Sequence, residues 1–117
     1  MIGRRVDRIE EQLRMELSEI IELELSDPRI GLVTVTSVKV TSDLRHARIF
    51  ISVLGGADER KKAIAGLRSA TSYVKRSLAK RLHHLRRVPD LIFEYDESLE
   101  EGIRIEELFN QIKSEPK

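Results

Sequence analysis

The residues with the clearest chemical potential are the cations of one segment. Residues 60–89 contain ten Lys and Arg side chains and no Asp or Glu. The flanking stretches are acidic, with eleven acidic against eight basic side chains in residues 1–59 and nine against three in residues 90–117. Cations without acidic partners nearby in sequence favour a surface that binds phosphates and releases condensed counterions, as nucleic-acid-binding surfaces do. An ordinary solvated helix face is the alternative interpretation of such a charge run.

Most of these cations fall on a single arc of an ideal helix, beside an apolar stripe. The predicted RNA-binding residues are Arg68, Lys75, Arg76, Lys80, Arg81, His83, Arg86 and Arg87. A second hypothesis uses the same basic amphipathic helix as the docking element of a protein–protein adaptor. A membrane-binding helix is disfavoured, because the apolar stripe lacks Trp and Phe and would be buried against a sheet.

Other chemistry is poorly supported by the spacing of its residues. His83 and His84 are adjacent, so they point about 100° apart on a helix and lack the i, i+4 arrangement of helical metal ligands. The pairs of adjacent glutamates are better explained as solvated helix faces than as acid–base partners. Gly55-Gly56 is not followed by the Gly-Lys-Ser/Thr of a phosphate-binding loop. We therefore predict no catalytic residues, no metal and no cofactor.

Length and composition limit the kind of protein that can carry this segment. The 117 residues, 40% of them hydrophobic, fit one domain with a modest core. Cysteine is absent, which removes disulfides and thiolate zinc sites. No stretch approaches the roughly 20 apolar residues of a membrane-spanning helix. We expect a cytoplasmic protein with one domain over residues 1–112 and a flexible tail over residues 113–117.

The elements before the basic segment follow from hydrophobic periodicity. Apolar residues at three- and four-residue steps predict a helix from Arg4 to Leu25, ended by Ser26-Asp27-Pro28. β-branched residues predict a strand over residues 32–41. Its apolar alternation shifts phase near Thr36-Ser37, which indicates either a bulge there or a strand that is partly covered on both faces. A second alternating strand runs from Ala47 to Val53, so the two strands predict a hairpin.

The basic segment itself predicts a helical stretch over residues 59–86, capped by Asp58. A single straight helix of that length would overhang its sheet. Ser and Thr side chains compete with helical hydrogen bonds, so we predict a kink at Ala70, Thr71 and Ser72. A third strand from Leu91 to Tyr95 should pair in parallel after this crossover. The prediction is an α+β domain with a three-stranded mixed sheet, followed by a short helix over residues 105–112.

This order of helix, strand, strand, kinked helix pair and strand is similar to the type II KH fold, an RNA-binding architecture. Four stretches make the resemblance more specific and occur in the same order across residues 4–108. They are residues 26–31 (SDPRIG) with 33–36 (VTVT), residues 43–44 (DL) with 47–49 (ARI), residues 87–91 (RVPDL), and residues 95–98 (YDES) with 102–103 (GI). Together they resemble the ribosome-binding factor A family.

The resemblance implies a monomeric, non-catalytic assembly factor that binds the small (30S) ribosomal subunit and its 16S rRNA. It also implies a role in late maturation and rRNA processing. The family is expected to carry an Ala-X-Gly kink in place of the GXXG loop with which KH domains clamp nucleotides. The matching positions here are Ala70, Thr71 and Ser72, so the glycine is missing. Because aromatics are only 4% of the chain, we also expect recognition of RNA shape more than of base sequence.

Overall fold

The computed structural model describes residues 2–98, with side chains described from Arg5 onward. The order of elements is α1 (Ile2–Leu23), β1 (Val33–Val40), β2 (His46–Val53), α2 (Ala57–Ser69), α3 (Thr71–Arg81) and β3 (Asp90–Tyr95). This α+β order confirms the predicted fold class. The predicted helix over residues 105–112 and the tail over residues 113–117 lie outside the described residues.

The first helix buries one stripe of its surface and exposes the other. Leu13, Leu17 and Ile20 are fully buried, as the three- and four-residue spacing predicts. The helix ends at Leu23, not at the predicted Leu25. Pro28 disfavours helical geometry in the residue before it, which explains why the chain leaves the helix in this region.

The loop between α1 and β1 packs on α2 through a glycine. Asp27 accepts hydrogen bonds from the Arg29 amide at 2.9 Å and from the Arg29 guanidinium at 2.7 Å, which holds the turn. Gly66 of α2 is buried beneath it, and a Cβ there would lie 2.8 Å from Cγ1 of Ile30. The glycine therefore sets how closely this loop approaches α2.

The sheet has the order β1-β2-β3. β1 and β2 are antiparallel, and their register shifts between Val35 and Ser37, which confirms the predicted bulge. β2 and β3 are parallel, with Ile49 opposite Phe93, so the predicted mixed sheet is confirmed. The helices cover one face, where Ile49, Ile51 and Phe93 are buried. Within residues 2–98 no helix covers the opposite face, which presents Arg48, half-buried Phe50 and exposed Ile92.

The predicted kink is confirmed as a junction of one residue between two helices. Ala70 ends α2 and begins α3 with φ −88° and ψ 0°. Its amide donates to Gly66 O at 3.0 Å and its carbonyl accepts from the Val74 amide at 2.9 Å, so both helices use it. Leu44 is the only non-glycine residue with a positive φ in the part of the chain that the structure describes, so the backbone at Ser72 is open to any L residue. The chain therefore turns this corner without a glycine at position 72.

Two details of the helical prediction are wrong. Asp58 does not cap α2: the helix begins at Ala57, and the Gly56 amide instead donates to the Glu59 carboxylate at 3.0 Å. Helix α3 also ends at Arg81 and does not continue to Arg86. Val88 and Pro89 are buried ahead of β3, and proline favours extended geometry in Val88, so the chain must turn earlier to place them. His83, Arg86 and Arg87 therefore lie in a loop and not on a helix.

Candidate nucleic-acid interface

Helix α3 has one face in the core and one face in solvent. Val74 and Leu78 are fully buried. The other side of the helix carries Ser72, Lys75, Arg76, Ala79 and Lys80, which follow one another at the spacing of a single helical face. All of these except half-buried Lys75 are exposed. A partner can therefore reach three cations on this side of the helix, Lys75, Arg76 and Lys80.

The loop before β3 adds a second wall to this cationic face. A groove of about 410 Å³ lies between the helix and the loop, which we call the α3 groove; it is lined by Ser72, Lys75, Arg76, Ala79, Arg87 and Val88. Three predicted cations, Lys75, Arg76 and Arg87, thus meet around one concavity although they come from two elements. In the part of the chain that the structure describes, Arg76 and Lys80 have no ion-pair partner.

Asp90 organises one end of the α3 groove. Its carboxylate accepts a hydrogen bond from the Lys75 ammonium at 2.5 Å. This bond lowers the pKa of Asp90, and the nearby charges of Arg87 and His46 lower it further. The carboxylate therefore stays ionised and fixes Lys75 at the edge of the groove.

The turn between β1 and β2 lies next to Asp90, at the same end of the α3 groove. His46 lies opposite Asp90 in the parallel register, and the Asp90 amide donates to the Arg45 carbonyl at 2.8 Å. The side chains of Arg45 and His46 are exposed. Sequence reasoning did not select these two residues for RNA contact, because only the register of β2 and β3 brings this turn beside the α3 groove.

Arg81 lies on a different side of α3 from the groove. Its guanidinium forms ion pairs with Glu16 at 2.9 Å, Glu19 at 3.2 Å and Glu24 at 2.7 Å, all on or just beyond α1. Glu24 also accepts hydrogen bonds from the Tyr73 hydroxyl at 2.7 Å and the Ser77 hydroxyl at 2.9 Å. These bonds, that of Tyr73 foremost and then that of Arg81, lower the pKa of Glu24. Arg81 therefore joins α3 to the α1 region through ion pairs.

The remaining predicted residues are exposed at other places. Arg68 of α2 lines a separate groove of about 540 Å³ next to Phe50 and Tyr95, and its charge helps to lower the pKa of Glu94 after the larger effect of Arg48. His83 and Arg86 are exposed in the loop after α3. The basic segment is therefore divided among several surfaces, of which the α3 groove is the most concentrated in cations.

The contrast between Arg81 and its neighbour Lys80 gives a test of stability. Arg81→Met should lower the midpoint of thermal unfolding by about 5 °C or more, because three carboxylates of the α1 region lose their shared cation. The pKa of Glu24 is lowered in the folded protein, so its ionised carboxylate stabilises the fold. This stabilisation is complete above the usual pKa of 4.5 and is lost as the pH falls. The deficit of Arg81→Met should therefore shrink in acid. Lys80→Met is the matched control, and an equal loss in both variants would contradict the assignment.

Two further properties of the described residues bear on function. Within residues 2–98, no helix is long and apolar enough to cross a membrane. The same residues include no cluster of three His, Cys, Asp or Glu side chains that could hold a metal ion.

Sequence comparison connects this arrangement to a known family. The family profile described as ribosome-binding factor A matches residues 5–109, which include every element from β1 to β3 and nearly all of α1. The chain belongs to the ribosome-binding factor A family. Ribosome-binding factor A of Halothermothrix orenii is 45% identical over 115 residues, covering 98% of this chain and 93% of the relative. That of Natranaerobius thermophilus is 41% identical over 112 residues, covering 96% and 85%.

Solved structures of ribosome-binding factor A share the fold. The crystal structure from Thermus thermophilus has a TM-score of 0.70 and 29% identity, covering 77% of this chain and 93% of that one. The solution structure of a Thermotoga maritima protein described as a putative ribosome-binding factor A has a TM-score of 0.69 and 30% identity, covering 77% and 85%. A Thermus thermophilus ribosome-binding factor A model fitted into a cryo-EM map of a 30S complex has a TM-score of 0.65 and 29% identity, covering 77% and 93%.

Proposed function

We propose that this chain binds the small ribosomal subunit by placing the α3 groove and the adjoining Lys80 on phosphates of 16S rRNA. It acts there in the cytoplasm as a monomeric, non-catalytic assembly factor that assists late maturation and rRNA processing. The observation that carries the proposal is the convergence of Lys75, Arg76 and Arg87 around one concave surface. The fitted 30S complex of the Thermus thermophilus relative supports the choice of ribosomal partner.

The charge distribution explains how a nearly neutral chain can bind RNA. The net charge is only +1, so long-range attraction to RNA depends on how the charges are arranged. The Arg81 ion pairs keep acidic residues of α1 engaged on the side of α3 away from the groove. The lining of the groove itself includes no carboxylate, and the Asp90 carboxylate at its edge is bound to Lys75. This asymmetry orients the domain as it approaches a polyanion.

Phosphate contacts require that binding weaken with salt. If Arg76, Lys80 and Arg87 each neutralise one phosphate, raising monovalent salt from about 50 to about 200 mM should lower the affinity for small subunits roughly fortyfold. Co-sedimentation of the chain with purified small subunits over a salt series measures this slope. Liposomes and ribosome-free lysate serve as parallel controls.

Two outcomes of that experiment would count against the proposal. Binding to subunits that does not change with salt would remove phosphate contacts as its basis. Salt-insensitive capture by protein in the ribosome-free lysate, with no sedimentation on subunits, would favour a protein–protein adaptor that uses the same basic helix.

A further inference from the structure

The α3 groove has an apolar component that phosphate binding alone does not use. Ala79 is exposed on the helix side, and Val88, which is only 8% exposed, contributes a small part of the lining from the loop. Lys75, Arg76, Arg87 and the hydroxyl-bearing Ser72 complete the lining. A surface that met only the outside of an RNA duplex would need the cations but not a recess between them. The groove therefore has the composition of a pocket for a small group with apolar faces and negative charge.

We propose that the α3 groove receives one unpaired nucleotide of the RNA, with its base against Ala79 and the small exposed part of Val88 and its flanking phosphates on Arg76 and Arg87. This inference rests on the proposed function and specifies what part of the RNA enters the site. A base presents flat apolar faces, and unstacked bases of folded RNA commonly pack on apolar or guanidinium surfaces. The groove has a volume of about 410 Å³ and is open to solvent, so a single base can enter it from outside.

Lys75 and Asp90 make the groove suitable for a nucleotide in a fixed position. The Lys75 ammonium is held by Asp90 at the groove edge, so one hydrogen-bond donor is already placed. Arg76 and Arg87 come from different elements and can contact phosphates on either side of an inserted base. An acidic peptide could satisfy the same cations, but its carboxylates alone would leave the exposed Ala79 methyl group uncovered. The base is the occupant that uses both parts of the lining.

Filling the groove without changing its charge tests the inference. Ala79→Phe should lower the affinity for small subunits roughly tenfold, the effect of losing one stacked base. Ala65→Phe is the matched control, since Ala65 is an exposed alanine of α2 outside the lining of the groove. Thermal unfolding and circular dichroism of both variants verify the fold. Equal affinities of wild type, Ala79→Phe and Ala65→Phe would overturn the inference.

A second experiment identifies the occupant directly. The chain has no cysteine, so Ala79→Cys creates a single thiol that can carry a benzophenone cross-linker, with Ala65→Cys as the control. Cross-links from position 79 to an unpaired rRNA nucleotide are expected. Cross-links confined to base-paired rRNA or to a ribosomal protein would overturn the inference, and the latter would favour an acidic peptide as the ligand. If the wild-type chain fails to bind subunits, the proposed function itself fails, which is a distinct result.

Discussion

Replacing Arg76, Lys80 and Arg87 together with Glu should abolish binding to the small ribosomal subunit while leaving the domain folded. All three side chains are exposed, and none belongs to the buried stripe of α3. Each reversal removes one positive charge and adds one negative charge, so the net charge changes from +1 to −5. Opposed like charges at an interface cost several kcal/mol, which corresponds to a loss of affinity of roughly a thousandfold.

A matched variant separates local contacts from total charge. Reversing Arg5, Arg8 and Lys39, which are exposed on α1 and β1 and do not line the α3 groove, produces the same net charge. Its affinity should fall far less, because salt screens exposed charges that do not contact the RNA directly. Affinity is measured by co-sedimentation, and folding by circular dichroism. Full binding by the Arg76, Lys80 and Arg87 variant, or equal losses in the two variants, would remove the α3 groove from the proposal.

Intact small subunits should compete at least about a hundredfold better than any short single-stranded oligonucleotide. Sequence-tolerant or sequence-selective single-strand binding usually depends on exposed aromatic platforms. Of the aromatic rings in the described residues, Phe93 is buried, half-buried Phe50 has the Arg48 guanidinium carbon 5.0 Å from its centroid, and Tyr95 has that of Arg60 at 4.3 Å. The Tyr73 ring is 41% exposed, but its hydroxyl is bound to Glu24 and the residue does not line the α3 groove. A single unpaired nucleotide in the α3 groove adds only a small part of the affinity. The rest must come from phosphates that folded RNA brings together.

The competition is carried out with labelled chain, purified subunits and oligonucleotides of varied sequence at near-physiological salt. We expect the oligonucleotides to differ from one another by less than about threefold, because phosphate contacts carry no base identity. Strong discrimination among oligonucleotides, at affinities close to that of the subunit, would contradict recognition of RNA shape.

Local sequence signals predicted the parts of the fold that depend on local chemistry. The phase shift of apolar residues near Thr36 located the bulge, and the run of Ser and Thr around Ala70 located the helix junction. The end of α3 was missed because it depends on where Val88 and Pro89 must be buried. Helical periodicity within residues 82–87 could not reveal that requirement, since the hydrophobic pattern there fits a helix as well as a loop.

The candidate site was predictable as a group of residue types but not as an arrangement. Helical spacing alone places Lys75 and Arg76 on one face of α3. Arg87 reaches the same groove only because of the path of the loop before β3. A count of charges along the sequence could not distinguish Arg81 from Lys80, because the acidic partners of Arg81 lie more than fifty residues away in sequence. Arg68 was grouped with α3 on an ideal helix, but the junction at Ala70 places it beside Glu94 instead.

The pairing of Lys75 with Asp90 has a consequence for the entropy of association. A free lysine side chain samples many rotamers, and ordering it at an interface normally costs conformational entropy. Asp90 restricts the Lys75 ammonium before any partner arrives, so part of this cost is already met during folding. The same carboxylate offsets much of the lysine charge. Lys75 should therefore contribute to binding mainly as a pre-ordered hydrogen-bond donor, while Arg76 and Arg87 supply the electrostatic attraction.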